Sequence, residues 1–322
     1  WGIMGTGGIA EAMVGALRDQ GSPVVAVGSA RPDAARLFAE RWEIPIAVQS
    51  HEAVAAIGDV DIVYVATTND RHYQNVLDCI AQEKPVLCEK PFALNSRQAR
   101  EMFAVAADAG VFIMEALWMR YLPFLAKLDQ LISEVTIGEP MQVQAIISHP
   151  AATDPRRRLM SAELGGGSLL DLGIYPLSLI HHLLGPPCGF AADADTVATG
   201  VDVDTRVISH HEGQTAAVAT ASFTASLANE AIVSGREARI RMHAPFHHSR
   251  RLTVEQDREV VATYDTDFDG HGFQFEVAEA ERCVEAGLLE SPQRPPGDTL
   301  AVLEWADAIR SRCGIRYPGD LE

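Results

Sequence analysis

The chain has 322 residues, with 26 basic against 44 acidic side chains, a formal charge of −18 and 47% hydrophobic residues. That length suggests two domains of ordinary size, and the acidic balance argues against nucleic acid or an anionic membrane as a main partner. No apolar run approaches the roughly 18 residues of a membrane span, and five scattered cysteines without metal-ligand spacing fit a reducing, cytoplasmic setting.

The sequence opens inside a strand, so a few residues are expected ahead of Trp1, and no secretory signal is expected. Trp1-Gly2-Ile3-Met4 reads as the end of that strand. Gly5-Thr6-Gly7-Gly8-Ile9-Ala10 follows, then a helical pattern to about residue 19. This is G-x-G-x-x-A at a strand-to-helix turn. Gly5 permits the tight turn, Gly7 lets backbone approach a pyrophosphate, and small Ala10 lets helix pack on strand. The helix N-terminus supplies N–H groups and the positive end of its dipole. Alone the motif is weak; at the start of a βαβ unit it points to a dinucleotide.

A second strand is expected over residues 24–28. Folds that prefer NAD place a carboxylate at its end for the ribose 2′-OH. Here Ser29-Ala30-Arg31-Pro32 stand there, and the first acid, Asp33, falls in the next helix. A hydroxyl and an arginine suit a 2′-phosphate, so NADP(H) is the favoured cofactor and NAD(H) the alternative. Helix is expected over 34–40 and strands over 44–48 and 60–66. The loop Thr67-Thr68-Asn69-Asp70-Arg71-His72 then lies at the C-terminal end of a buried strand, where an α/β sheet places ligand contacts. Thr67, Thr68, Asn69 and His72 are therefore candidate cofactor residues.

The apolar run 85–88 ends in Glu89-Lys90-Pro91. Only Lys84, Lys90 and Lys127 are lysines among the 26 basic residues. Elsewhere arginine carries the positive charge, so a lysine at a strand end suggests a compact charge or a group able to give up a proton. A helix over 96–109 and a strand over 111–114 complete an alternating β/α pattern, that of a doubly wound parallel sheet.

After residue 118 the pattern changes. Residues 124–134 read as a helix and 141–148 as a half-buried strand. A polar loop over 149–163 carries Asp154, Arg156, Arg157 and Arg158. Gly165-Gly166-Gly167 leads into an apolar helix over 168–184, on which Asp171, Tyr175 and Ser178 share one face. Five to seven alternating strands between 190 and 264 predict an open, mainly antiparallel sheet. Helices over 272–286 and 298–313 close the chain. The His-His pairs at 181–182, 210–211 and 247–248 lack a ligand pattern such as H-E-x-x-H, so no metal is expected. The expected domains are 1–118, a Rossmann domain, and 119–322, an α+β domain for substrate and assembly.

The glycine turn, the strand-end Glu89-Lys90-Pro91 and Gly165-Gly166-Gly167-Ser168-Leu169-Leu170-Asp171-Leu172-Gly173-Ile174-Tyr175 are spaced as in the Gfo/Idh/MocA family of oxidoreductases, which the chain resembles over nearly its whole length. Met114-Glu115-Ala116-Leu117-Trp118-Met119-Arg120 and the Tyr175 helix are most similar to the branch of dihydrodiol and aldose dehydrogenases. The resemblance implies hydride transfer between nicotinamide and a hydroxyl or carbonyl carbon of a sugar or cyclic diol. It implies Tyr175 as acid/base, Lys90 as its tuner and substrate anchor, and Asp171 as orienter of Lys90 or of a substrate hydroxyl. Glu89, Lys90 and Pro91 border the cofactor, Trp118 and Arg120 its nicotinamide end, and Arg158 reaches substrate. Homodimers, or higher homo-oligomers, through the C-terminal sheet are implied too. Two other readings stand beside this one: a reductase of a ketose or anhydro-sugar, and a catalytically silent NAD(P)-sensing regulator, against which intact Lys90, Asp171 and Tyr175 argue. Family members often carry arginine where this chain has Ala30; Arg31 is expected to replace it.

Overall fold

A computed structural model describes residues 1–31, 33–150 and 157–320. The chain divides into two compact units, Trp1–Trp118 with Gly270–Thr299, and Met119–Asp269 with Leu300–Glu322. The segment 270–299 thus belongs with the first unit, apart in sequence from the rest of it.

The first unit is built on six parallel strands: β1 (Gly2–Met4), β2 (Ala26–Gly28), β3 (Ile46–Val48), β4 (Val63–Val65), β5 (Val86–Glu89) and β6 (Ile113–Ala116). Their order is β3-β2-β1-β4-β5-β6, the doubly wound order with a crevice where the winding reverses, at β1. The connecting helices are α1 (Gly8–Gln20), α2 (Ala34–Trp42), α3 (Glu52–Ala55), α4 (Asn69–Ile80) and α5 (Ser96–Ala109). Ala10, Met13, Val14 and Leu17 make the buried stripe of α1 at helical spacing. The expected loop 67–72 is shorter than read, because α4 already begins at Asn69 behind Thr68.

The returning segment carries α8 (Phe273–Glu285) and completes this unit with polar contacts. Trp1 Nε1 and Ser22 Oγ donate to Glu281 Oε1 at 2.8 and 2.6 Å. Arg294 donates from Nε and Nη2 to Glu115 Oε2 at 3.0 and 2.7 Å, and Thr299 Oγ1 adds a bond of 2.7 Å. Arg294 and Glu115 are both buried, so each ion depends on the other for the solvation it has lost. Deeper still lies Glu276, fully buried on α8, with no hydrogen-bond partner for either carboxyl oxygen among the described residues. Burial, and then the nearby Glu89 charge, push its carboxyl well above the ordinary value, so it rests in the fold as a neutral acid.

The second unit is built on an eight-stranded sheet: β7 (Pro140–Ser148), β8 (Gly189–Thr196), β9 (Asp202–His211), β10 (Thr215–Ser222), β11 (Ala231–Gly235), β12 (Arg239–Met242), β13 (Arg251–Gln256) and β14 (Glu259–Asp265). The order is β14-β13-β12-β11-β7-β10-β9-β8. Every pair is antiparallel except β7 with β10. On β9, exposed residues alternate with buried ones from Arg206 onward, the pattern of a sheet covered on one face. The helices of this unit are α6 (Pro123–Ser133), α7 (Ile174–Leu184) and most of α9 (Pro296–Cys313).

The helix expected over 168–184 is not uniform. Leu169–Gly173 form a π-helical turn, and α7 starts only at Ile174. The turn packs closely at Gly173, where a Cβ would stand 3.0 Å from Leu169 Cδ1 and 3.6 Å from Ala221 Cβ. Such turns interrupt helices often at functional positions. Asp154 and Arg156 lie outside the described residues.

Candidate active site

In the first unit, the glycine turn has the form that a pyrophosphate needs. Gly5 sits at φ +113° and packs so closely that a Cβ would collide with the Ala66 carbonyl oxygen. Gly7 and Gly8 face open space, and no side chain caps the N-terminus of α1. The free first-turn N–H groups and the open glycine surface together fit a dinucleotide phosphate. Thr6 and Ile9 are half-buried beside them and Ala10 is buried against the sheet. At the end of β2, Ser29 is buried and its Oγ accepts from the Arg31 N–H at 3.3 Å. The Arg31 guanidinium reaches back over the turn, Nη2 donating to Thr6 Oγ1 at 3.2 Å. Arginine, serine and threonine thus gather at one strand end. Pro32 lies outside the described residues.

The polar residues after β4 are tied into the strand-end loops. His72 is fully buried, with Nδ1 2.9 Å from Pro91 O and Nε2 3.3 Å from Thr67 O. It ties the strand-end loop of β4 to that of β5. Thr67 Oγ1 donates to Asn75 Oδ1 at 3.0 Å; Asn69 is buried in the first turn of α4, with Thr68 at its N-cap.

At the end of β5, Glu89 is buried and accepts from Tyr64 Oη at 2.5 Å and from the Lys90 N–H at 3.1 Å. Burial, then the Glu89 charge, raise the Tyr64 phenol well above its ordinary value, so it stays a donor. This pair anchors the Glu89-Lys90-Pro91 turn, and Lys90 is half-buried. The other two lysines have plain roles. Lys84 donates to Val60 O at 2.7 Å, and Lys127 stands 4.2 Å from the Tyr264 ring centroid. Trp118, buried at the end of the unit, packs on Phe273 with ring centroids 4.8 Å apart.

In the second unit, the π-turn and α7 carry Asp171, Tyr175 and Ser178. Asp171 Oδ1 accepts from Arg158 Nη2 at 3.0 Å, which joins two residues that sequence had assigned separately. Tyr175 is 5% exposed and Ser178 fully buried. The ring of His247 packs on Tyr175 at 4.9 Å between centroids, with His248 against His247 at 4.5 Å. Sequence had noticed this pair only as an unlikely metal motif; nothing in its spacing announces the tyrosine contact. Among the described residues, no group of three or more His, Cys, Asp or Glu could hold a metal ion. Arg120 is half-buried in the single turn Trp118–Tyr121.

Comparison with known proteins agrees with this layout. Residues 1–117 match the oxidoreductase family with an NAD-binding Rossmann fold, and residues 125–241 match the GFO/IDH/MocA C-terminal domain. The chain is 32% identical over 329 residues to a trans-1,2-dihydrobenzene-1,2-diol dehydrogenase of Xenopus laevis, covering 99% of each chain. It is 31% identical to the protein of that name from Sus scrofa, over 99% of this chain and 98% of that one. A 3-ketoreductase from Actinomadura kijaniata, crystallised with NADP and TDP-benzene, superposes with a TM-score of 0.87 at 25% identity over 97% of both chains. An aldose-aldose oxidoreductase from Caulobacter crescentus has the same fold, with a TM-score of 0.87 at 22% identity over 97% and 96%. The chain belongs to the Gfo/Idh/MocA family of NAD(P)-binding oxidoreductases.

Proposed function

We propose that this oxidoreductase is an NADP(H)-dependent dehydrogenase of a trans-dihydrodiol or a sugar-like cyclic polyol. The observation that carries this reading is full-length similarity to the dihydrodiol dehydrogenases, together with a tyrosine at residue 175. The test is the change in NADPH absorbance across a panel of dihydrodiols, aldoses and ketoses. Turnover of a dihydrodiol or aldose supports the reading; turnover of ketoses alone turns it towards a reductase. The nicotinamide, when bound, supplies the hydride acceptor or donor. Tyr175 takes the hydroxyl proton during oxidation and returns it during reduction. An ordinary phenol titrates near 10, and a neighbouring ammonium lowers that value by stabilising the phenolate; we assign this role to Lys90. Asp171, held by Arg158, orients Lys90 or a substrate hydroxyl, and Arg158 borders the substrate. Trp118 and Arg120 border the nicotinamide end.

The preference for NADP(H) rests on Arg31, Ser29 and Thr6. No carboxylate stands at the end of β2 to accept from both ribose hydroxyls. A charge-assisted contact from Arg31 to the 2′-phosphate is worth about 1.5–3 kcal/mol, or roughly 10- to 100-fold in affinity. NADP(H) is expected to be favoured over NAD(H) by that order in kcat/KM, and Arg31→Ala to remove most of the difference. Equal values for the two cofactors in the parent protein would reduce Arg31 to a surface residue.

We place the protein in the cytoplasm, as a homodimer through the eight-stranded sheet. All five cysteines are free thiols, and among the described residues no helix is long and apolar enough to cross a membrane. Ile208 on β9, and Val260 and Val261 on β14 towards the other end of the strand order, are each more than half exposed, large apolar side chains that a partner sheet would cover. Light scattering at micromolar concentration is expected to give twice the chain mass of 34.8 kDa; a monomer would exclude the assembly.

A further inference from the structure

Beneath the triple glycine lies a carboxylate that no sequence pattern marked. Asp202, the first residue of β9, is fully buried. Its Oδ2 accepts three hydrogen bonds: from Ser168 Oγ at 2.5 Å, from the Leu169 N–H at 2.7 Å and from Thr205 Oγ1 at 2.8 Å. Ser168 and Leu169 begin the π-turn on which Asp171 lies. The other oxygen, Oδ1, has no hydrogen-bond partner among the described residues and lies against Gly167. Gly167 has φ +111°, and a Cβ there would collide with Asp202 Oδ1. Tyr317 closes the arrangement by donating its hydroxyl to Gly166 O. Its phenol is raised far above the ordinary value, by burial first and the Asp202 charge second, so it remains a donor.

We propose that Asp202 is a positioning residue for the reaction. Its carboxylate fixes the start of the segment 168–175 and thereby sets where Asp171 and Tyr175 point. The inference rests on the roles proposed above for those two residues. The physical basis is twofold. A carboxylate bonded to an N–H at the start of a helical segment makes a strong, charge-assisted bond that is also favoured by the peptide dipoles. A buried charge held by three donors has little freedom to move, since any displacement breaks bonds that water cannot replace. The Asp171 N–H in turn bonds to Gly167 O at 3.1 Å, so the anchored turn and the Asp171 backbone are directly linked.

The test compares the full-length protein with Asp202→Asn and Ser168→Ala. Asparagine keeps the shape of the side chain but removes its charge. Misplacing a reacting group by about 1 Å can cost roughly 100-fold, so Asp202→Asn is expected to lower kcat by about tenfold or more. KM for NADP(H) and the cofactor dissociation constant should stay within about twofold, because the first unit is untouched. Ser168→Ala, which deletes one donor and leaves the carboxylate, should lower kcat less and in the same pattern. Amide hydrogen exchange should rise in peptides spanning 166–175 and not in 205–211. The proposal falls if both variants keep kcat within twofold. It falls too if kcat, cofactor affinity and exchange across the whole unit change together, which would mark general unfolding. If the parent protein turns over nothing in the panel, the function reading fails separately. The exchange experiment then decides alone: a rise confined to 166–175 supports the anchor, and unchanged exchange there overturns it.

Discussion

Lys90→Met and Tyr175→Phe are each expected to lower turnover by roughly 100-fold or more, the usual size of a general acid–base contribution. Tyr175→Phe keeps the ring against His247 and removes only the hydroxyl proposed to handle the proton. Lys90→Met keeps the length of the side chain and removes the ammonium proposed to stabilise the phenolate. The two losses should combine to far less than their product, because a phenol without its ammonium is already a poor base. The pH dependence adds a second check. In the oxidative direction the acidic limb of the activity profile, where the base is lost to protonation, should move to higher pH in Lys90→Met, towards the ordinary phenol value near 10. Cofactor binding should change little in either variant. Near-normal turnover in both would remove Tyr175 and Lys90 from the mechanism, whatever the substrate.

Glu276→Gln is expected to change how stability depends on pH. In the native fold the Glu276 carboxyl is neutral, because burial and the neighbouring Glu89 raise its pKa well above 4.5. In the unfolded chain it ionises near its ordinary value. From about pH 4.5 upward, to the raised folded-state value, the native protein therefore holds one more proton than the unfolded chain. Stability must fall with rising pH in that window, by about 1.4 kcal/mol per pH unit from this group alone. Below pH 4.5 both states hold the proton and the contribution is fully present. Glutamine has nearly the same shape and no proton to lose. The variant should therefore gain on the parent as pH rises above about 4.5 until the raised folded-state value is passed, as read from urea unfolding at several pH values. Parallel stability curves would show that Glu276 is already ionised in the fold.

Much of this was legible in the sequence, because it depends on local rules. The glycine turn announces itself through spacing. Parallel strands buried on both faces read as apolar runs, and the alternating strands after residue 190 read as one half-covered sheet. The absence of a carboxylate after β2 was plain, and Arg31 does lie over the turn at Thr6. What escaped depends on contacts between distant residues. Periodicity shows that 273–285 is helical, but not that it packs with Trp1 and Ser22. Asp202 opens a strand where an aspartate reads as an ordinary loop residue, and only the fold brings it under Ser168. His72 has the position of a ligand contact and the burial of a core residue. The π-turn at Leu169–Gly173 escaped because a helical pattern says nothing about one extra residue in a turn.

The pairing of Glu115 with Arg294 has a consequence for how the protein is made. The two ions are separated by 179 residues of sequence. During synthesis the strand bearing Glu115 leaves the ribosome long before its arginine exists, since the whole of β7 to β14 comes between them. At typical elongation rates of about 5–20 residues per second, the nascent nucleotide-binding half spends about 10–40 s with an acidic side chain whose partner has yet to be translated. The half that begins first is therefore finished last. A chain truncated after Trp118 would retain the glycine turn and all six strands, yet lack the arginine that neutralises its interior.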